Sequence, residues 1–245
     1  MLPGPGWYPD PANPAAGQRW WDGTQWTPHA APYGPGPTHD LETEQRSANS
    51  ARVALLAGAG LYVVQFVVVS LVYHSIWSNF QHTIDDAQNG TTTRSAFPGL
   101  QGGLLVGQGA LQLASIGLLA VGVVFLVWFH RAATVSRAAG LPARYSPGWA
   151  VGAWFIPFAN WFMPYQAAVD MLPHDHPQRV LVARWWALWL GTQFSALFVA
   201  LASLASVGLG LAVALVGAVL AVSAAAAGRE VVALVTDTHA RLFAR

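Results

Sequence analysis

Between Arg184 and Arg229 the chain runs for 44 residues without one charged side chain. A helix rises about 1.5 Å per residue and a hydrocarbon core is about 30 Å thick, so about 20 residues make one crossing. The stretch is twice that length, and "SVGLG" (206–210) lies near its middle. It reads as a tight helical hairpin with arms over 185–203 and 209–227. Two more apolar stretches precede it. One, 53–72, lies in a region with no charge between Arg52 and Asp85; the other, 104–129, ends at His130 and Arg131. Only 9% of the residues are charged, against about 25% in a soluble domain, and a soluble surface cannot be built from so few. The expected fold is mainly α: a polytopic membrane protein with four transmembrane helices.

A further apolar stretch, "SPGWAVGAWFIPFANWFMPYQAAVD" (146–170), is long enough to be a fifth span. Its interior carries Pro157, Asn160 and Pro164, and each proline removes a backbone donor and disfavours helix just before it. Arginine placement decides the matter. All twelve basic residues are arginines. A spanning 146–170 would divide them six to six across the membrane. A non-spanning one divides them eleven to one, with only Arg94 on the far side. The positive-inside rule therefore gives four spans, with the N-terminus and C-terminus both cytoplasmic. The segment is then either re-entrant or interfacial. Ten residues, 149–158, make about 15 Å of helix, half the core thickness, which favours re-entry. Trp149, Trp154 and Trp161 equally suit the headgroup region.

The first 28 residues are rich in Trp, Pro and Gly. "GWYPDP" (6–11) is followed by "RWWDGTQWT" (19–27), where Asp22-Gly23 signals a two-residue hairpin turn flanked by Trp20, Trp21 and Trp26. A hairpin with Trp7 and Tyr8 packed across it makes a small Trp-rich β module, with aromatic burial in place of the staples that so short a fold needs. These five aromatics are candidate partner-binding residues, because small aromatic-lined modules take Pro-rich segments; the alternative is that they only bury one another. Residues 29–51 read as a flexible Pro/Gly and polar linker, 52–245 as the membrane domain, and the polar stretch 73–101 as a loop. No apolar leader segment is visible in the first 50 residues, so the first span is expected to act as an uncleaved anchor.

The N-terminal pattern "GWYPDP…RWWDGTQWT" resembles the Domain of Unknown Function 2510 family, short modules at the N-termini of many actinobacterial membrane proteins. The pattern "RYSPGWAVGAWFIPFANWFMPYQAAVD", preceded by "VWFHRAATVSRAAG", resembles the Domain of Unknown Function 4328 family over about 50–240. Its SPGW…F-P-F-N…PY hallmark picks out Ser146, Pro147, Gly148, Trp149, Pro157, Asn160, Pro164 and Tyr165. Ala153 stands where that family more often has tryptophan. The resemblance implies a bacterial integral protein of the plasma membrane and brings no activity with it.

Little in the sequence points to chemistry. There is no cysteine, no glycine-rich phosphate loop, no nucleophile elbow and no paired carboxylates, so no catalytic residue, no enzyme activity and no cofactor are expected. A net charge of +1 gives no electrostatic case for nucleic acid. Asp170, His174 and His176 are weak metal candidates, since a Pro-flanked polar loop gathers such residues without any ligand geometry. Gly210, Ala214, Ala218 and Val222 recur at every fourth position, a candidate close-packing face within the chain or in a homo-oligomer. The leading expectation is a non-catalytic membrane scaffold or adaptor whose cytoplasmic module binds a partner. The alternative is a small channel, transporter or ligand sensor built around the broken segment.

Overall fold

The computed structural model describes residues 4–12, 17–32, 37–90 and 97–244. It divides into two compact units, Met1–Glu42 and Thr43–Arg245.

The first unit contains a three-stranded antiparallel sheet of β1 (Gly6–Pro9), β2 (Gly17–Trp21) and β3 (Trp26–Pro32), in sequence order. Trp7 lies opposite Trp20, and Trp21 opposite Trp26, so alternation along the strands separates two aromatic pairs onto opposite faces. The connection between β2 and β3 differs from the two-residue turn expected at Asp22-Gly23. It is four residues long, and only Gly23 (φ 104°) has positive φ, whereas a type I′ turn needs two such residues. The Asp22 carboxylate supplies the reason: its Oδ1 accepts from Gln25 N (2.8 Å), Thr24 Oγ1 (2.8 Å) and Thr24 N (2.7 Å), wrapping the chain around itself. These bonds, Gln25's backbone N–H first, hold the Asp22 carboxyl below its ordinary range. Across β1 and β2, Arg19 forks onto Asp10, with Nε to Oδ1 at 3.1 Å and Nη2 to Oδ2 at 3.0 Å.

The second unit is helical. Helix α1 (Pro37–Gln88) is longer than its apolar part at both ends. Residues 37–51 are therefore helical rather than part of a flexible linker, while 33–36 lie outside the described residues. The expected loop from 73 likewise begins as helix. From Tyr73 to Asn89 there is neither proline nor glycine, and Gly90, with a φ of 69°, ends the helix. Helix α2 (Phe97–Ala138) is followed by the broken segment, helices α3 (Pro147–Gly152) and α4 (Met163–Asp170), and then by α5 (Val180–Ala205) and α6 (Val207–Phe243). Among the described residues, α1, α2, α5 with the turn before it, and α6 are long and apolar enough to cross a membrane. Their outer faces carry leucine, valine and phenylalanine, such as Val64, Leu119, Leu197 and Leu215, as lipid contact requires.

Helices α5 and α6 form the expected hairpin, with Ser206 as the whole connection. Its extended backbone breaks the helix, and its Oγ accepts from Leu209 N at 3.1 Å to cap α6. Small residues let α6 pack closely, but the buried series is Gly210, Ala214, Gly217, Ala221, Ala224 and Gly228. Val222 is 52% exposed and Ala218 only half-buried, because a strict four-residue step drifts off one helix face that steps of three and four together follow. A Cβ on Gly217 would lie 2.9 Å from both Phe66 Cε2 and Ser195 Oγ, and one on Gly210 would strike Ser203 Oγ. Ser203 Oγ in turn lies 3.1 Å from Ser70 Oγ of α1, and Tyr62 of α1 donates to Gln193 of α5 at 2.7 Å.

The opposite end of the bundle is closed by a group that sequence reading does not single out. His239 of α6 and Glu44 of α1 are both fully buried, with Nδ1 2.8 Å from Oε1. His239 Nε2 lies 3.0 Å from the carbonyl of Met171. A carbonyl only accepts, so Nε2 carries a hydrogen, and Nδ1 and Glu44 share the remaining proton between them. One imidazole thus ties together the start of α1, the residue after α4 and the end of α6.

Two substitutions test this packing. Gly217→Leu is expected to cost about 1–3 kcal/mol by overpacking against Phe66, read as a lowered midpoint of thermal unfolding in detergent; an unchanged midpoint would mean the helices are not in contact there. Glu44→Leu should cost about 1–3 kcal/mol by stranding the buried imidazole, and Glu44→Gln, which can still donate to Nδ1, should cost clearly less. Equal losses from the two would show that the pairing carries no energy.

Candidate functional site

The stretch from Ser146 to Asp170 is built as a sequence of short turns. Ser146 has the extended backbone favoured before proline, and its Oγ caps α3 by accepting from Trp149 N at 3.3 Å. Pro147 then occupies the first turn, where no amide donor is needed. A 3₁₀ turn at Ala153–Phe155 leads to Ile156, again extended before Pro157. The chain reverses at Phe158, whose φ of 65° and ψ of −46° are sterically costly for a residue with a side chain. Ala159 N donates to Pro157 O at 2.8 Å across it, which makes a γ-turn of the rare, positive-φ kind. A second 3₁₀ turn (Ala159–Trp161) and α4, with Pro164 in its first turn, bring the chain back. Pro157 thus sits at a break, and Pro164 in a first turn where no amide donor is needed.

The two ends of the segment meet. Asp170 Oδ2 accepts from the backbone N–H of Arg144 at 3.1 Å, with Arg144 Nε at 3.7 Å, and Tyr145 donates from its hydroxyl to Gln166 at 2.5 Å. Arg137 Nη2 donates to Tyr145 O at 3.2 Å, joining the end of α2 to this clasp. The turn at the far end rests on α5: Trp186 Nε1 donates to Trp161 O at 3.0 Å, and the rings of Trp161 and Phe194 lie 6.1 Å apart. Phe194 stands fourteen positions beyond Val180, so the ring of Trp161 meets a side chain rooted about 21 Å along α5. Trp149, Phe155, Trp161 and Phe162 are exposed, and Phe158 is 71% exposed at the tip. Tyr165 is half-buried, its ring 6.5 Å from Trp186. Around Gly148 there is open space.

Behind the segment lies a cavity of about 290 Å³. Its walls come from α1 (Gly58, Tyr62), α2 (Phe125), the broken segment (Trp154, Asn160) and α5 (Trp189), and small residues of α6 complete it. Trp154 is the centre of the aromatic wall, in edge-on contact with Phe125, Phe129, Trp186 and Trp189 at 5.4–5.8 Å. Among the described residues, no Asp, Glu, Arg or His lines it. Asn160, placed by the second 3₁₀ turn, is the side-chain amide of the lining, and its Oδ1 is buried without a hydrogen-bond partner.

The other sequence candidates are placed as follows. In the N-terminal unit, Trp7 and Trp20 meet edge-on at 5.6 Å; on the other face Trp26 meets Trp21 at 5.3 Å and Tyr8 at 6.3 Å. These rings partly bury one another, yet Trp7 keeps 45% and Trp26 40% of its surface exposed. Asp170 serves the clasp, His176 Nδ1 accepts from Gln178 N at 3.3 Å to cap a 3₁₀ turn, and the carbonyl of His174 accepts from Arg179 at 3.0 Å. Among the described residues no group of three His, Cys, Asp or Glu side chains is arranged to hold a metal ion. Phe158 and Trp186 carry structural roles that no sequence pattern marks: a strained φ is set by its neighbours, and one indole N–H among twelve tryptophans looks like any other.

No curated protein and no solved structure matches the chain. Two families do. Residues 5–39, which take in the three strands, match the family described as Protein of unknown function (DUF2510). Residues 100–237, from the start of α2 through most of α6, match Domain of unknown function (DUF4328), with the clasped, broken segment at the centre of the matched region. More than half of the sequence lies in that second match, and the chain belongs to the DUF4328 family of membrane-type helical proteins, carrying a DUF2510 module at its N-terminus.

Proposed function

We propose that the chain is a non-catalytic adaptor of the cell membrane, with both termini in the cytoplasm and the Trp-rich module presented there to a protein partner. The observation that carries this reading is the residual exposure of Trp7 and Trp26. The sheet is already held by the Asp10–Arg19 fork and by its edge-on ring pairs, and both indoles still offer ring surface on opposite faces. Such surfaces suit an extended, Pro-rich segment, whose preformed conformation docks between aromatic rings at low entropic cost. Support for the orientation comes from the arginines, eleven of which fall on one side of a four-span topology. Support for re-entry over an interfacial position comes from the depth to which the segment follows α5. A second reading, a ligand sensor built around the broken segment, is favoured by the cavity behind it.

Two outcomes are expected. A reporter fused after the last residue should read cytoplasmic in intact cells, and an external reading would exclude four spans with a cytoplasmic N-terminus. Removing residues 1–32 spares Glu44, so the bundle should keep its thermal stability while crosslinked partners captured from native membranes are lost. Trp7→Ala should lose the same partners with the sheet intact by circular dichroism. If instead the sheet unfolds, Trp7 serves packing alone.

A further inference from the structure

From the cavity behind the broken segment we infer a binding site for a rigid, ring-bearing hydrocarbon group of about a dozen carbon atoms, taken up from the bilayer. This site rests on the sensor reading and specifies its ligand. Every lining residue contributed by α1, α2, α5 and α6 falls within the apolar runs 53–72, 104–129, 185–203 and 209–227, so the space lies at the depth of the lipid chains. A cavity of about 150 Å³ holds one benzene, so about 290 Å³ holds two such rings and not a whole phospholipid. The wall decides polarity. Its two hydroxyl hydrogens are already given away, that of Tyr62 to Gln193 at 2.7 Å and that of Thr192 to the carbonyl of Leu188 at 3.0 Å. Oδ1 of Asn160 and Nε1 of Trp154 are sealed inside the wall and do not face the space. With no Asp, Glu, Arg or His in the described lining, a charged ligand would be stranded there. A water would find few of the about two to four polar partners that it needs.

The preference for a rigid group comes from where the ligand starts. Hydrocarbon in the bilayer is already out of water, so entering the cavity brings no hydrophobic gain. What remains is contact against ordering. Filling the space recovers dispersion contacts that its lining otherwise lacks. A flexible chain gives up conformational freedom to fill it, whereas linked rings give up almost none. The contacts on offer are also those of rings. Tyr62, Phe125, Trp154, Phe155, Trp185 and Trp189 present six aromatic side chains to the cavity. Phe125 and Trp189 already meet Trp154 edge-on at 5.6 and 5.4 Å, a geometry that a further ring extends. Phe155, at the edge of the lining, is itself exposed on the outer surface, so a molecule dissolved among lipid chains reaches the cavity without crossing water.

The test uses the full chain in lipid nanodiscs and follows quenching of tryptophan emission by two brominated hydrocarbons of equal carbon number, 4-bromobiphenyl and 1-bromododecane, at matched mole fractions of the lipid. Lipid-facing rings such as Trp149 and Trp161 are quenched in proportion to either compound and form the background. The biphenyl should add a saturable component, at a mole fraction about tenfold below any that the dodecane shows. A hydroxyl on the biphenyl should not tighten it. Gly122→Ala should weaken the saturable component and Gly122→Leu remove it, because an added Cβ at this lining position meets nothing within 4 Å and the longer side chain fills the space. Equal saturable quenching by biphenyl and dodecane overturns the rigid ligand while leaving a cavity that takes hydrocarbon. Tighter binding of the hydroxylated biphenyl overturns the apolar one. Saturable quenching that survives Gly122→Leu places the ring elsewhere and overturns the site. No saturable quenching by either compound overturns the site and the sensor reading together.

Discussion

Asp170 receives the backbone N–H of Arg144, 26 positions earlier in the chain, and this clasp helps fix the direction in which everything after α2 runs. Because the broken segment returns to the end it left, α5 starts beside the end of α2, and α6 comes back to the same place. There His239 finds Glu44 and the carbonyl of Met171. With the segment returned, the last helix finishes at the end of α1 where that imidazole is paired.

The clasp also determines what the segment encloses. A chain pinned at both ends and turned back at Phe158 cannot lie flat against α5 along its whole length. It stands off as a short wall, tethered again where Trp186 reaches the carbonyl of Trp161. The space between wall and helices is filled partly by the ring of Trp154 and partly left as the cavity. Aromatic side chains suit this arrangement, since edge-on contacts at 5–6 Å join elements that are not closely packed backbone to backbone. On α6, by contrast, glycine and alanine bring backbones together, and a Cβ at Gly210, Gly217 or Gly228 would meet a neighbouring side chain closer than 3.0 Å.

Much of this was legible in the sequence, because membrane helices announce themselves by missing charge and broken ones by proline. The four apolar helices, the connection at Ser206 and the breaks at Pro157 and before Pro164 all follow from rules about single residues and their neighbours. What escaped reading depends on distance. Glu44 and His239 are 195 residues apart and each resembles an ordinary polar residue near a helix end. The four-residue loop after Trp21 follows from where one carboxylate of Asp22 finds its donors, a choice that the Asp-Gly pair leaves open. The helical extensions of α1 were hidden by polarity, since composition separates lipid-facing from water-facing residues more sharply than it separates helix from loop. The aromatic lining of the cavity was invisible as a set, though each tryptophan in it could be read.

The connection at Ser206 has a consequence for how such a chain is made. One extended residue provides no slack, so α5 and α6 cannot be placed in a bilayer at different times, nor can either tilt without carrying the other. They must leave the biosynthetic machinery as one preformed pair, with Gly210 already against Ser203. A lengthened linker at this position would remove that coupling and convert a concerted insertion into two separate ones, each of which would have to find its partner afterwards.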